Sequence, residues 1–155
     1  MKRLVYSFII CMICAACDKL PANSDLDGMW HLQRMDYLDQ SPILEEDVSE
    51  KRFYWNFQLD LLMINSLGEP IYKDTLTQKD VYKAFGRFDY SGTTLNINKL
   101  YLHLDVRDSL VNDASTTLFE RYGIMGNADS FFVETIDNKK MILLSDDRRL
   151  YFRKF

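Results

Sequence analysis

The chain has 155 residues, and its 23 acidic and 19 basic residues give a formal net charge of −4. If Lys2 and Arg3 are removed with a leader, the net charge becomes −6. Nucleic-acid-binding proteins carry basic patches, so this balance excludes nucleic acid as a partner. The length suits one domain with a core of its own.

The first 17 residues follow the pattern of a bacterial lipoprotein leader. A basic start precedes the apolar segment 4–13, which at ten residues is too short to span a bilayer as a helix. Two alanines then lead directly to Cys17. We predict a signal peptide over 1–16, acyl chains (palmitate among them) on Cys17, and a tether over 17–25. An ordinary cleaved leader and a retained membrane anchor are the alternatives.

This leader predicts where the protein is found. Cys11 and Cys14 lie within the leader and Cys17 carries the lipid, so no cysteine is left for a disulfide in the folded domain. Two or more acyl chains anchor a protein stably to a membrane. We therefore expect an exported protein that is lipid-anchored to the cell envelope.

The predicted domain, 26–155, begins with a strand that changes face. Trp30 and Leu32 share one parity, whereas Met35 and Tyr37 share the other. A shift of parity within one strand indicates a bulge, a feature of strands that bend around a barrel. The sequence therefore predicts a bulge near 33–34.

Aromatic residues follow a period of two along the next part of the chain. Alternation over 53–63 predicts one long, half-buried strand. Residues of one parity continue the pattern from 82 to 90, with Gly86 as a bend point. A ligand in the barrel would be lined by the inward-facing members of these sets, which we predict to be Trp55, Phe57, Leu59, Tyr82, Phe88 and Tyr90.

One helix and a final meander complete the predicted elements. Apolar residues at helical spacing indicate a short helix that begins at Asp113 or Ser115 and ends at Gly123, which can take a left-handed conformation. Short turns divide the end of the chain into three predicted strands: 130–136, 141–144 and 150–155.

Many strands joined by short turns predict an all-β fold. We expect an antiparallel up-and-down meander closed as a barrel, with one short helix. Closure removes the exposed edges of a sheet. A two-sheet β-sandwich is the alternative.

Motifs of known enzymes are absent from the sequence. It contains no Gly-x-Ser-x-Gly, no glycine-rich phosphate loop and no His-Glu-x-x-His. His31 and His103 are predicted to lie on the solvent-exposed faces of strands rather than to form a catalytic or metal-binding pair. The acidic runs 45–47 and 146–147 are predicted in solvated loops, with weak calcium binding as the alternative. We therefore expect no enzyme activity, no cofactor and no metal.

The segment 26–32, Leu-Asp-Gly-Met-Trp-His-Leu, resembles the L-x-G-x-W-x-L opening of bacterial lipocalin-like domains. The end of the chain is similar to that of short lipocalin-like lipoproteins from Bacteroides-type bacteria. This resemblance implies a lipocalin-like barrel over 26–155 in which Gly28 and Trp30 close one end. It makes Arg153 the candidate to pack on Trp30, and it points to the outer membrane.

Two functions follow from this interpretation. The first is binding of a small, mostly apolar molecule in the barrel, which requires eight or more strands to leave room. The second is a filled barrel that acts through its surface, as a protein-interaction module or accessory subunit of an envelope complex. A cavity above ~300 Å³ with apolar walls favours the first. A filled interior with an exposed apolar patch favours the second.

Overall fold

The computed structural model describes residues 23–105, 107–112 and 116–155. The predicted leader, Cys17 and the predicted start of the helix lie outside these residues. The described chain contains three short 3-10 turns, Ser24–Leu26, Ser49–Lys51 and Glu120–Tyr122. Its strands are β1 (Gly28–Tyr37), β2 (Leu44–Asp47), β3 (Phe53–Gln58), β4 (Leu61–Ser66), β5 (Tyr72–Lys73), β6 (Asp80–Val81), β7 (Lys83–Tyr90), β8 (Thr94–Leu104), β9 (Arg107–Leu110), β10 (Asp129–Ile136), β11 (Lys140–Leu144) and β12 (Arg148–Lys154).

Eight antiparallel strands close into a barrel, in the order β1-β3-β4-β7-β8-β10-β11-β12 and back to β1. β9 pairs with the second half of β8, β2 pairs with the second half of β1, and β5 and β6 form a separate hairpin. The predicted all-β fold, its antiparallel topology and its closure as a barrel are confirmed, and the sandwich is not adopted.

The predicted bulge in the first strand is present. β1 pairs Leu32 with Phe152 but Arg34 with Tyr151, so Gln33 is the extra residue. Trp30, Leu32 and Met35 are all buried despite their mixed parity. The bulge therefore keeps both halves of β1 facing the core.

The long strand predicted over 53–63 is wrong, because a tight turn divides it into β3 and β4. Leu59 begins that turn with φ +57°. Residues of odd parity face the core in β3, whereas Leu62 and Ile64 face it in β4. The apolar alternation continues past the turn only because β4 carries apolar residues on both of its faces.

The acidic run near residue 45 is not a free loop, contrary to the prediction. Glu45 and Glu46 lie in β2, which pairs with β1 as a short edge strand. Its side chains are exposed, and Tyr37 donates a hydrogen bond to Glu46 at 2.9 Å. Charged residues on a short edge strand discourage pairing with other chains.

The predicted helix is reduced to the 3-10 turn Glu120–Tyr122 in the described residues. Its predicted stop is present, because Gly123 has φ +89° and donates its N–H to the Glu120 carbonyl at 2.8 Å. Ile124 then donates to the Phe119 carbonyl at 3.2 Å and is buried. The segment is thus a tight corner that turns inward rather than a docked helix.

One end of the barrel is closed around Trp30. The indole donates a hydrogen bond to the Leu26 carbonyl at 2.8 Å, and Gly28 enters β1 with φ +119°. Arg153 does not pack on this ring, contrary to the expectation, because it pairs with His31 and points outward. Lys154 takes that place, with its Nζ 4.8 Å from the centre of the Trp30 ring.

Candidate functional site

Three of the six predicted lining residues meet inside the barrel. Trp55, Phe57 and Phe88 are buried, with ring centres 6.1 Å apart for Trp55 and Phe57 and 5.1 Å apart for Phe57 and Phe88. Phe131 and Phe152 pack on Trp55 at 5.9 and 5.0 Å. These aromatic side chains fill the barrel axis with one another, as in small closed barrels.

The other three predicted lining residues lie elsewhere. Leu59 is 67% exposed at the tip of the β3–β4 turn, and Tyr82 is 41% exposed just before β7. The inward orientation predicted for these two residues is therefore wrong. Tyr90 is half-buried at the rim and donates a hydrogen bond to the Gly92 carbonyl at 3.2 Å.

The opposite end of the barrel is plugged by the corner around residue 122. Trp55 donates its indole N–H to the Tyr122 carbonyl at 3.0 Å, and the Tyr122 ring packs on Phe53 at 4.5 Å. A Cβ at Gly123 would lie 2.7 Å from Leu150 Cδ1, so only glycine allows this close approach. Beside the plug, the β5–β6 hairpin covers a cavity of about 300 Å³.

A larger cleft, of about 760 Å³, opens where β10 parts from β11. β10 pairs with β8 at its start but with β11 only from Phe132 onward, opposite Leu144. The gap before Phe132 has a wall whose apolar part consists of Met125, Phe131, Phe132 and Leu144. The rest of the wall is polar or charged: Thr94, Asp129, Ser130, Ser145, Asp146, Asp147 and Arg148. Phe131 is also the side chain that packs on Trp55. We call this gap the seam cleft, and the filled axis forms its inner wall.

A buried ion pair lies in the seam cleft. Arg148 Nη2 is 2.8 Å from Asp129 Oδ2, and the two side chains are only 3% and 12% exposed. Asp129 also accepts the backbone N–H groups of Met125 and Ser130, both at 2.8 Å. Burial nonetheless raises the pKa of Asp129, since desolvation outweighs these stabilising contacts. Asp147 lies 3.4 Å from Arg148.

Sequence reasoning missed the seam cleft for a topological reason. Its walls come from residue 94, from 125–132 and from 144–148, which β-sheet pairing brings together. The local signal was a charged residue at the start of each of two apolar strands, Asp129 in β10 and Arg148 in β12. Nothing in the sequence shows that these two charges meet.

The two histidines occupy different surroundings. His103 is exposed as predicted, with Nδ1 3.0 Å from Asp108. His31 is only 8% exposed, because its ring stacks on Tyr54 with centres 4.6 Å apart. The solvent-exposed position predicted for His31 is therefore wrong. Burial, and then the positive charge of Arg153, lower the pKa of His31.

We expect His31 to make the protein less stable as the pH falls. The unfolded imidazole takes up a proton near its ordinary pKa of 6.5, whereas the folded one does so only at lower pH. The free energy of unfolding is therefore lost as the pH drops through this window. In urea unfolding at about pH 7 and about pH 5, His31→Phe should reduce the difference between the two values.

The matched control is His103→Phe, which removes an imidazole from an exposed site and should not reproduce the effect of His31→Phe. Asp129, whose pKa is raised by burial, contributes with the opposite sign and is common to all three proteins. An equal effect of the two histidine variants would contradict the assignment to His31.

Residues 23–105, 107–112 and 116–155 contain no group of three or more His, Cys, Asp or Glu side chains placed to hold a metal ion. No helix within these ranges has the length and apolar character to cross a bilayer.

Comparison with known proteins agrees with the barrel. A crystal structure of a lipocalin-like protein from Bacteroides uniformis is 22% identical, with a TM-score of 0.57 over 85% of this chain and 100% of the other. An uncharacterized protein from Bacteroides eggerthii is 17% identical, with a TM-score of 0.54 over 84% of this chain and 99% of the other. No curated protein matches the chain.

These two similarities show a shared fold. The family model described as "Lipocalin-like domain" matches residues 11–155, which include every strand of the barrel. The chain therefore belongs to the lipocalin-like domain family.

Proposed function

We propose that this protein binds a small, mostly apolar molecule in the seam cleft, and that it acts by binding rather than by catalysis. The observation that carries the proposal is the cleft itself, which at about 760 Å³ lies in the usual size range of ligand pockets. Such pockets combine apolar walls with a few fixed polar groups. The seam cleft has both, since its ion pair lies beside aromatic side chains.

The side chains on the barrel axis form the inner wall of this site, and the axis itself has no room for a ligand. Trp55, Phe57 and Phe88 contact one another closely, so a ligand on the axis would have to displace packed rings. Phe131 packs on Trp55 and also lines the cleft, so it connects the packed axis to the cleft wall. A wall held in this way is rigid, which lowers the entropic cost of binding.

Charge in the seam cleft restricts the ligand further. Asp129, Asp146 and Asp147 line it against a single basic residue, Arg148, which is already paired with Asp129. A carboxylate or phosphate would meet this excess of negative charge. We therefore propose a ligand whose polar end is neutral or positively charged.

Native mass spectrometry of residues 23–155, followed by solvent extraction, tests the proposal. The whole barrel and its core lie within these residues. We expect a reproducible adduct after incubation with envelope lipid extract. Phe132, 53% exposed on the cleft wall, should contribute, so Phe132→Ser should weaken binding about tenfold, as expected for loss of one buried aromatic contact.

Phe155→Ser is the matched control, because Phe155 is also well exposed but packs near Tyr54, away from the seam cleft. It should leave the adduct unchanged. A bare mass after incubation, or equal losses in the two variants, would contradict the proposed site. The filled axis would then favour the alternative, a barrel that serves as an interaction module or accessory subunit.

We also propose that Cys17 carries acyl chains that anchor the exported domain to the outer membrane of the cell envelope. The leader pattern supports this, as does the polar tether that follows it. Cys17→Ala should remove the protein from the membrane fraction, because anchoring needs the acyl chains. The measurement is fractionation after a high-salt wash, and a variant that stays with the membranes would contradict the lipid anchor.

A further inference from the structure

We propose that the outer face of β4, β7 and β8 rests on an anionic membrane surface, together with the tip of the β3–β4 turn. The proposal goes beyond ligand binding in the seam cleft, and it rests on the proposed lipid anchor for one of its arguments. Its evidence is an apolar stripe, a strained leucine, the charge of two grooves and the place where the chain enters the barrel.

An apolar stripe crosses four strands on the outside of the barrel. Met63 pairs with Phe85, Phe85 with Tyr101, and Tyr101 with Leu110. Phe85 and Tyr101 stack with ring centres 5.6 Å apart and planes 11° apart. The neighbours of Met63, Phe85 and Tyr101 along their strands face the core, so these three side chains face outward and remain half-buried. Leu110, also half-buried, lies on the same side through its pairing with Tyr101. A contiguous apolar surface of this kind marks an interaction site.

Leu59 extends the stripe toward one end of the molecule. Its side chain is 67% exposed at the turn tip, although its φ of +57° belongs to a region that favours glycine. Leu61, the next outward residue, is 37% exposed. A leucine there is only partly buried in the domain and strains the turn, whereas contact with acyl chains would bury it further.

The grooves beside the stripe carry basic residues. Two shallow grooves of about 650 and 290 Å³ flank Phe85, and they are lined by Lys83, Arg87, Lys99 and His103 without any acidic residue. This contrasts with the net charge of −4 of the chain.

Acidic side chains lie at the border of the grooves. Asp60 pairs with Arg87, Asp89 accepts a hydrogen bond from Asn98, and Asp108 contacts His103. Lys83 and Lys99 take part in no salt bridge within the described residues. These two ammonium groups are therefore free to bind anionic headgroups.

The entry point of the chain places this face near the membrane. The Asn23 side chain donates a hydrogen bond to the Leu59 carbonyl at 2.6 Å. Cys17 precedes Asn23 by six residues, which span at most about 20 Å when fully extended. The proposed acyl chains therefore enter the bilayer within about 20 Å of the turn tip, on the side of the molecule where Leu59 and Leu61 are exposed.

Vesicle binding by residues 23–155, which lack the anchor, tests the proposal. We expect co-sedimentation with phosphatidylcholine vesicles that contain phosphatidylglycerol and weaker binding without it. Each basic residue near an anionic surface contributes about 1 kcal/mol, or about fivefold in partitioning, so Lys83→Gln with Lys99→Gln should weaken binding about 25-fold. Leu59→Gly should weaken it about tenfold, and the unfolding midpoint should not fall, because glycine accepts the positive φ.

Control variants test whether vesicle binding depends on this face or only on the total charge and apolar surface of the protein. Lys139→Gln with Lys140→Gln removes the same charge at the β10–β11 turn, outside the three strands of the proposed face. Leu76→Gly removes a leucine that is 74% exposed in the β5–β6 connection, at the other end of the barrel. Neither should change vesicle binding by more than about twofold, the scale of a surface substitution without a specific contact.

Absence of binding to anionic vesicles, or equal losses in the test and control variants, would overturn the proposal. A dimer in analytical ultracentrifugation that Phe85→Ser abolishes would also overturn it, since the stripe would then join two copies of the chain. An unlipidated domain is used throughout, so these results are independent of the Cys17→Ala fractionation and of the adduct in the seam cleft.

Discussion

Trp55→Ala is expected to destabilise the barrel by about 4 kcal/mol, since truncation of a buried tryptophan leaves a large cavity. The ring is fully buried and touches Phe57 of the same strand, Phe131 of β10 and Phe152 of β12. Urea unfolding measures the effect directly. Phe155→Ala, at an exposed position, should change the free energy of unfolding by less than about 0.5 kcal/mol.

Trp55→Phe separates the hydrogen bond from the packing. The phenyl ring retains apolar contacts, but the Tyr122 carbonyl loses the indole donor at 3.0 Å. A buried acceptor without a partner costs about 1–3 kcal/mol. We expect faster hydrogen exchange at Gly123 and Ile124, whose amides hold the plug together. Unchanged exchange there would mean that Trp55 stabilises the core without holding the plug.

Local patterns were sufficient to predict much of this fold. The change of parity from Leu32 to Met35 predicted a bulge near 33–34, because a core-facing strand can change parity only by adding a residue, and the extra residue is Gln33. Gly123 was predicted as a stop from the apolar residue that follows it. The sequence did not indicate that Gly123 would face Leu150, since that contact depends on where β12 lies.

The error over 53–63 has a physical cause that bears on function. A two-residue turn reverses the chain but leaves no glycine or proline to mark it, because Leu59 takes the positive φ itself. Leu61 and Met63 then continue the apolar alternation on the outer face, while Leu62 and Ile64 face the core. A strand that is apolar on both faces needs cover on both, and the outer stripe begins on this strand.

The seam cleft could not be predicted from the sequence, because it forms where β10 changes its pairing partner from β8 to β11. β10 pairs with β8, which precedes it by some thirty residues, and only later with β11. No periodicity within β10 records this change of partner. The buried Arg148 could have served as a weak signal, since a charge in an apolar strand needs a partner.

Breaking the ion pair in the seam cleft is expected to cost nearly as much as truncating Trp55. Arg148→Met leaves the Asp129 carboxylate buried without its cationic partner, and removing one member of a buried pair costs about 3–5 kcal/mol. Asp129→Asn should cost less, because the amide oxygen can still accept the Met125 N–H. Urea unfolding at neutral pH measures both variants.

The double variant decides whether the charges act as a pair. Removing both charges leaves no unpaired ion, so the combined loss should be well below the sum of the single losses, with a coupling of about 1.5 kcal/mol or more. The exposed pair Arg34–Glu45, at 3.4 Å, is the matched control and should show less than about 1 kcal/mol. Additive losses at Asp129 and Arg148 would mean that each is stabilised by other contacts.

The same double variant links stability to the proposed ligand. It replaces the fixed polar groups of the seam cleft with a thioether and an amide while Phe131, Phe132 and Leu144 keep the apolar walls. If the ion pair orients the polar end of the ligand, the folded double variant should bind the adduct about tenfold more weakly, the scale of one charge-assisted hydrogen bond of roughly 1.5 kcal/mol. An adduct retained at full strength would instead mean that the ion pair holds β12 to β10 beside the seam cleft, with recognition left to the apolar walls.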